Sequence, residues 1–356
     1  MKRLFVIASM AIMAVGCQKT TVENEVLTPI GFSTDVAKQT RAIVNNGTYD
    51  VNVPFAVYSY GYQTNADGTK KDNTGSTPMT NVTISKQGDS WKAAEGVYYW
   101  PNDASTRLDF YAYSPVMETA AITHDVTKGF QTTYTQSDMY VDFMVATPVV
   151  GAYYDNQDGG DETVKGTVVP MAFNHQLTQI VFEVSAEIEK VTATIESITL
   201  NQIGSKATYE QNKKVEVEGE NGAKDEVAAP WGTPSEKKDY TIFPTSLTND
   251  EVQVNTVGIG KTVVKTTPVA MIPQTLGDME FTIVYKLEGD GVATETVTKD
   301  IKLATNNLKV WGVNKKVTYK LGVGLNQITF APTVNGWEDV PAGDSDTDAD
   351  DIISIL

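Results

Sequence analysis

Cysteine is nearly absent: the 356 residues hold one, Cys17. Histidine is almost as scarce, with His124 and His175 far apart in the chain. A lone thiol excludes a disulfide framework, so stability must come from apolar cores. These absences also exclude most site chemistry. There is no second thiol for Cys–His catalysis, and no G-x-S-x-G, G-x-x-x-x-G-K-[ST] or H-E-x-x-H run. Carboxylates abound, but none is singled out as a pair for glycoside hydrolysis. The chain therefore reads as non-enzymatic, with no cofactor and no metal. His175, in FNHQLTQIVF, reads as a structural histidine hydrogen-bonded at a strand end. Positive charge is also short: the formal net charge is −17. An acidic surface repels phosphate backbones and anionic lipid, which argues against nucleic-acid binding. No apolar pattern at helical spacing persists for three turns.

The one apolar run is short. Leu4–Val15 follows Lys2 and Arg3 and ends in Ala14-Val15-Gly16-Cys17. A spanning helix needs about 20 residues, so this is a secretory signal rather than an anchor helix. Small residues directly before a cysteine resemble a bacterial lipobox. That resemblance implies lipid on the Cys17 sulfur, removal of residues 1–16 and, with Gln18 next, passage to the outer membrane. Several acyl chains would anchor the chain firmly, at about 0.8 kcal/mol per buried CH₂.

What is plentiful is Thr, Val, Ile and Tyr, punctuated by Gly and Pro. Period-two stripes recur: Leu108, Phe110 and Ala112; Ile180, Phe182 and Val184; Phe281, Ile283, Tyr285 and Leu287; Val317, Tyr319, Leu321, Val323 and Leu325. Such alternation predicts antiparallel strands lying on a core. Shorter strands are expected at Phe55–Tyr60, Val82–Ser85, Asp142–Thr147, Ser197–Ile203, Tyr240–Phe243, Val252–Val257 and Gln327–Ala331. The fold class is all-β, with sandwiches as the architecture. Thr64–Pro78, Asp155–Gly166 and Glu216–Pro234 read as loops. Ile195–Ile203 reads as the closing strand of the first sheet. The expected organisation is 1–16 signal, 17–41 propeptide with a removable strand, 42–210 N-terminal sandwich, 211–340 C-terminal sandwich, and 341–356 acidic linker with a terminal strand. Asp344–Asp351 lacks the Gly and Glu of a calcium loop and reads as a solvated linker. Tyr98, Tyr99, Trp100, Tyr58, Tyr60 and Tyr62 could stack on a glycan, but more often such rings pack a sheet face.

Taken in order, KQTRA, VPFAVYSY, VYYWPNDASTRLDFYAYSP, DFMVATP, VVPMAFNHQLTQIVFEV, ITLNQIGSKATY, MIPQTLGDMEFTIVY, NNLKVWGVNKKVTYKLGV and ITFAPTVNGWEDV resemble the Bacteroidales fimbrillin family, the Mfa-like pilins of type V pili. The resemblance covers nearly the whole chain. It implies two tandem β-sandwich domains of transthyretin-like topology and export as a lipoprotein. It also implies loss of an N-terminal segment to a trypsin-like surface protease. The matching bond is Arg41–Ala42, and Arg41 is the only arginine between Arg3 and Arg107.

Val26–Thr34 reads as a strand with Ile30 and Phe32 on one face. If it occupies an edge of the first sandwich, cutting after Arg41 frees it and opens a groove with unpaired backbone groups, ready to recruit another strand. A donor is visible at Ile352, Ile353, Ser354, Ile355 and Leu356. Burying about three of these side chains at roughly 1.5–3 kcal/mol each gives on the order of 5–9 kcal/mol before ordering costs. The competing reading is a strand folded back on its own domain. In the resembling family stalk subunits carry such a donor, so the expected partners are other pilin subunits, the protease and, before cleavage, the outer membrane. The alternative is a non-polymerising surface lipoprotein that binds host or bacterial glycans or anchors a pilus.

Overall fold

The computed structural model describes residues 27–36, 49–103, 105–154, 168–186, 191–218, 224–243, 256–258, 264–289, 292–323, 328–337 and 353–355. Every regular element among them is a strand, so the chain is all-β. The first group is β1 (Gly31–Val36), β2 (Phe55–Gln63), β3 (Ser76–Gln87), β4 (Ser90–Ala93), β5 (Thr106–Ser114), β6 (Ile122–Asp125), β7 (Gly129–Thr135), β8 (Met144–Ala146), β9 (Val149–Ala152) and β10 (Val168–His175). Next come β11 (Thr178–Ala186), β12 (Val191–Glu210), β13 (Lys214–Glu218), β14 (Lys224–Ala228), β15 (Ser235–Phe243), β16 (Thr256–Gly258), β17 (Val264–Lys265) and β18 (Val269–Met271). The last are β19 (Gln274–Thr275), β20 (Glu280–Gly289), β21 (Val292–Lys302), β22 (Val310–Trp311), β23 (Lys315–Val323), β24 (Ile328–Gly336) and β25 (Ile353–Ile355).

The first sheet runs β2-β3-β4-β1-β10-β8-β5, and β5 pairs back with β2. Seven strands thus form a closed circuit, with β9 added on β5. Closure is thin at two seams. β1 meets β4 through one pair, Phe32↔Trp91, and β5 meets β8 through two. Inside lies an aromatic core that includes Phe55, Phe110 and Phe173, all fully buried. Leu108, Phe110 and Ala112 point into it, as their alternation predicts.

A second core lies between two further sheets. One is β17-β11-β23-β24-β25, with β18 on β11; the other is β21-β20-β12-β7-β6, with β15 and β16 on β12. Ile180, Phe182 and Val184 from the one meet Phe281, Ile283, Tyr285 and Leu287 from the other. Val317, Tyr319, Leu321 and Val323 join them, while Leu325 is outside the described residues.

Two expectations need correction. The chain leaves the first sheet at His175 and joins the second system at Thr178. Ile195–Ile203 therefore does not close the first sheet. It is the middle of β12, paired with β20 and β15, and a boundary near 210 falls inside the second system. The misreading has a physical cause. β12 is twenty residues long and its final turn of chain, Lys206–Glu210, pairs with β7, so one strand serves two cores. A third apolar cluster at this junction joins Tyr58, Tyr113, Phe130, Phe143, Tyr209 and Trp337, among others. The second correction is Glu216–Pro234, expected as a loop. Lys214–Glu218 and Lys224–Ala228 form a hairpin ribbon. Its alternation is Val against charge, and cross-strand pairs Lys214–Glu226 (3.3 Å) and Lys224–Glu216 (2.6 Å) hold it in solvent.

Candidate functional site

The seat of β1 is the feature to which the sequence reading points. GFSTDV forms a six-residue parallel register with β10, from Gly31↔Val168 to Val36↔Phe173. Just upstream, the Ile30 amide donates to the Tyr98 carbonyl (2.8 Å) and the Trp100 amide donates to the Thr28 carbonyl (2.9 Å). The strand thus lies between two neighbours and is not an edge, as first expected. Alternation decides which side chains enter. Ile30 and Phe32 are 6% and 4% exposed, whereas Ser33 and Asp35 face out. The Phe32 ring meets Phe55 at 6.1 Å and Phe110 at 5.9 Å, both edge to face.

The other flank is loose. The β3–β4 hairpin, which turns at Gly88 with φ +62°, leaves β1 with a single pair to β4. A surface cleft of about 790 Å³ opens there, lined by β1 itself, Tyr49, Trp91 and Tyr98. β1 thus has one long hydrogen-bonded flank, to β10, and one flank mostly open.

β10 carries the seat's backbone to a buried polar knot. His175, at its end, is fully buried and Nδ1 bonds the Asp142 carboxylate. Its ring lies flat on Trp337 at 4.1 Å and 7°. The expectation of a structural histidine at a strand end fits this geometry. Asp142 and Trp337 were not foreseen as its partners; no spacing in the sequence relates residues this far apart. His124 lies elsewhere, ringed by Tyr58, Tyr60, Tyr111 and Phe130. Burial pulls its pKa down to about 4, against a small opposing pull from Asp125.

The remaining sequence candidates divide plainly. Cys17, Arg41 and Ala42 lie outside the described residues, as do Ile352, Leu356, Asp344–Asp351 and residues 155–167. Ile353, Ser354 and Ile355 form β25, which pairs antiparallel with β24 of the same chain through Phe330↔Ile353 and Ile328↔Ile355. Of the aromatic residues weighed for sugar stacking, Trp100 and Tyr58 are buried, and Lys70 covers the Tyr62 ring at 4.3 Å. Tyr99 is exposed.

A family model described as fimbrillin-like matches residues 40–337. A search of curated proteins finds no match. Among solved structures, a fimbrial protein of Bacteroides vulgatus is similar at 18% identity and a TM-score of 0.52, covering 87% of this chain and 99% of the other. A Bacteroides uniformis protein assigned to cell adhesion is 17% identical, with a TM-score of 0.46 over 87% and 98% of the two chains. The tip fimbrial protein Mfa3 of Porphyromonas gingivalis is 9% identical, with a TM-score of 0.36 over 87% and 100%.

Proposed function

Because the chain belongs to the fimbrillin-like family, and is thereby a pilus-type structural protein of the cell surface, we propose that it assembles by exchanging β1 for a strand of a neighbouring subunit. The sequence of events begins with export as a lipoprotein anchored in the outer membrane through Cys17. Cleavage of the Arg41–Ala42 bond follows. The closed seven-stranded unit and the two-sheet unit that follows it form the body that polymerises and supports adhesion.

One observation carries the proposal. β1 is the only described strand on the N-terminal side of Arg41, and it ends at Val36, five residues before that bond. Cutting there leaves β1 held by backbone bonds to β10, its one pair to β4, the Ile30–Tyr98 and Thr28–Trp100 bonds and the burial of Ile30 and Phe32. Its loss would expose the β10 edge over six residues and open the closed circuit, and such an edge recruits a strand.

The arginine pattern supports a single cut. Beyond Arg41 the chain has twenty-two lysines but only one more arginine, Arg107. Arg107 lies in β5 with its guanidinium over the Tyr153 ring at 4.0 Å and Nη1 donating to the Thr106 carbonyl. A regular strand is a poor protease substrate, because the active-site cleft needs an extended segment free of its neighbours. An arginine-directed surface protease would therefore act once, where a lysine-directed one would have many targets.

The donor would be the C-terminal Ile352–Leu356. In the single chain its described part makes three backbone pairs at the outer edge of β24, a short seat that leaves it free to exchange. The test is to treat the purified precursor with an arginine-specific protease and follow size. Chains starting at Ala42 should form a ladder of polymers. Arg41→Gln should stay monomeric, and so should a chain lacking the last five residues. Complete cleavage with no growth in size would overturn the proposal.

A further inference from the structure

We infer that the seat vacated by β1 selects a donor strand bearing an aromatic ring, so that a ring-bearing strand of a different subunit binds it more tightly than the tail of a second copy, which still fills it. The inference rests on the strand-exchange reading above and adds to it the chemistry of the partner.

The seat is built around Phe32, whose ring is 4% exposed and wedged edge to face between Phe55 and Phe110. These walls are fixed by other rings. Phe55 also packs on Trp91 (5.3 Å) and Phe173 (5.3 Å), and Phe110 on Trp100 (5.8 Å). Side chains so interlocked cannot close in on a smaller guest. A close-packed core that fails to collapse leaves a void, and a void costs binding energy in proportion to its volume. Edge-to-face ring contacts, worth about 0.5–1.5 kcal/mol beyond area, are lost as well.

The chain's own tail meets this demand only in part. No Phe, Tyr or Trp occurs after Trp337. Strand alternation would turn either Ile353 and Ile355, or Ile352, Ser354 and Leu356, into the groove. Running the strand in the opposite direction changes the order and not the membership of each face. In every register the ring position receives an aliphatic side chain or a serine. A second copy of this chain would thus fit with a gap, whereas an otherwise similar donor with a ring at that position would not.

The test uses the full chain lacking Ile352–Leu356, cut after Arg41 and freed of its N-terminal fragment. Labelled peptides then compete for the seat. They are Leu27–Val36, the same peptide with Phe32→Leu, the tail Asp348–Leu356, and that tail with Ile353→Phe or Ser354→Phe, which set the ring on opposite faces. The expected result is that Leu27–Val36 binds about tenfold tighter than its Phe32→Leu form, roughly 1.4 kcal/mol. One of the two ring-bearing tails should gain about tenfold over the native tail. Equal binding of native and ring-bearing tails overturns the inference and leaves strand exchange standing. Absence of binding by every peptide, Leu27–Val36 included, overturns strand exchange and the inference with it.

Discussion

At the scale of the residue, Phe32 separates two states of the molecule. In the uncut chain its ring fills the first core, and Phe→Ala in such a setting costs about 3–5 kcal/mol. If strand exchange follows the cut, Phe32 departs with its strand. Phe32→Ala should therefore lower the unfolding free energy of the precursor by about that amount and leave the protein cut after Arg41, with its fragments not separated by hand, unchanged. Parallel denaturant titrations would show it, and an equal loss in both forms would mean that β1 stays in place after the cut. His124 gives a second prediction. Its neutral ring is packed among tyrosines with Nε2 unpartnered, and its folded pKa of about 4 lies below the unfolded value near 6.5. The unfolded ring takes up its proton first as pH falls. Stability should thus decline from about pH 6.5 down to about pH 4, and no further on this account below that. His124→Phe keeps a ring in the pocket and should flatten the curve in that window.

At the scale of the element, what could be read from the chain depended on how local the cause was. Period-two stripes placed β5, β11, β20 and β23 and gave the inward faces, because alternation is written into neighbouring residues. Ile30 and Phe32 were foreseen as the buried face of the removable strand for the same reason. The parallel partner of that strand, β10, was not, since pairing between residues about 137 positions apart leaves no local trace. β12 was misplaced because one strand feeds two cores, and the Lys–Glu ribbon was taken for a loop because both its faces are wet. The His175–Trp337 stack is a long-range feature of the same kind. It ties the end of β10 to the end of β24, just before the C-terminal segment. Trp337→Ala should cost about 3–5 kcal/mol and raise hydrogen exchange in both β10 and β24. Exchange confined to β24 would show that the stack does not link the two cores.

At the scale of the whole molecule, acidity matters most. The chain carries −17, so subunits that meet end to end repel each other. Long-range repulsion is screened within about 10 Å at 0.1 M salt. Polymerisation of the cut chain should accelerate between about 10 mM and 150 mM sodium chloride, read by light scattering, whereas an attraction-driven contact would slow. Strand exchange also defines what a subunit is. The precursor is closed by its own β1, and the assembled form would be closed by a neighbour.

The measurement that tests this most directly is the mass and N-terminus of the protein in fibres taken from the cell surface. The account predicts subunits that begin at Ala42, with Leu27–Val36 absent from the fibre. Assembled subunits that still carry β1 would contradict it, because the seat would never have been vacated.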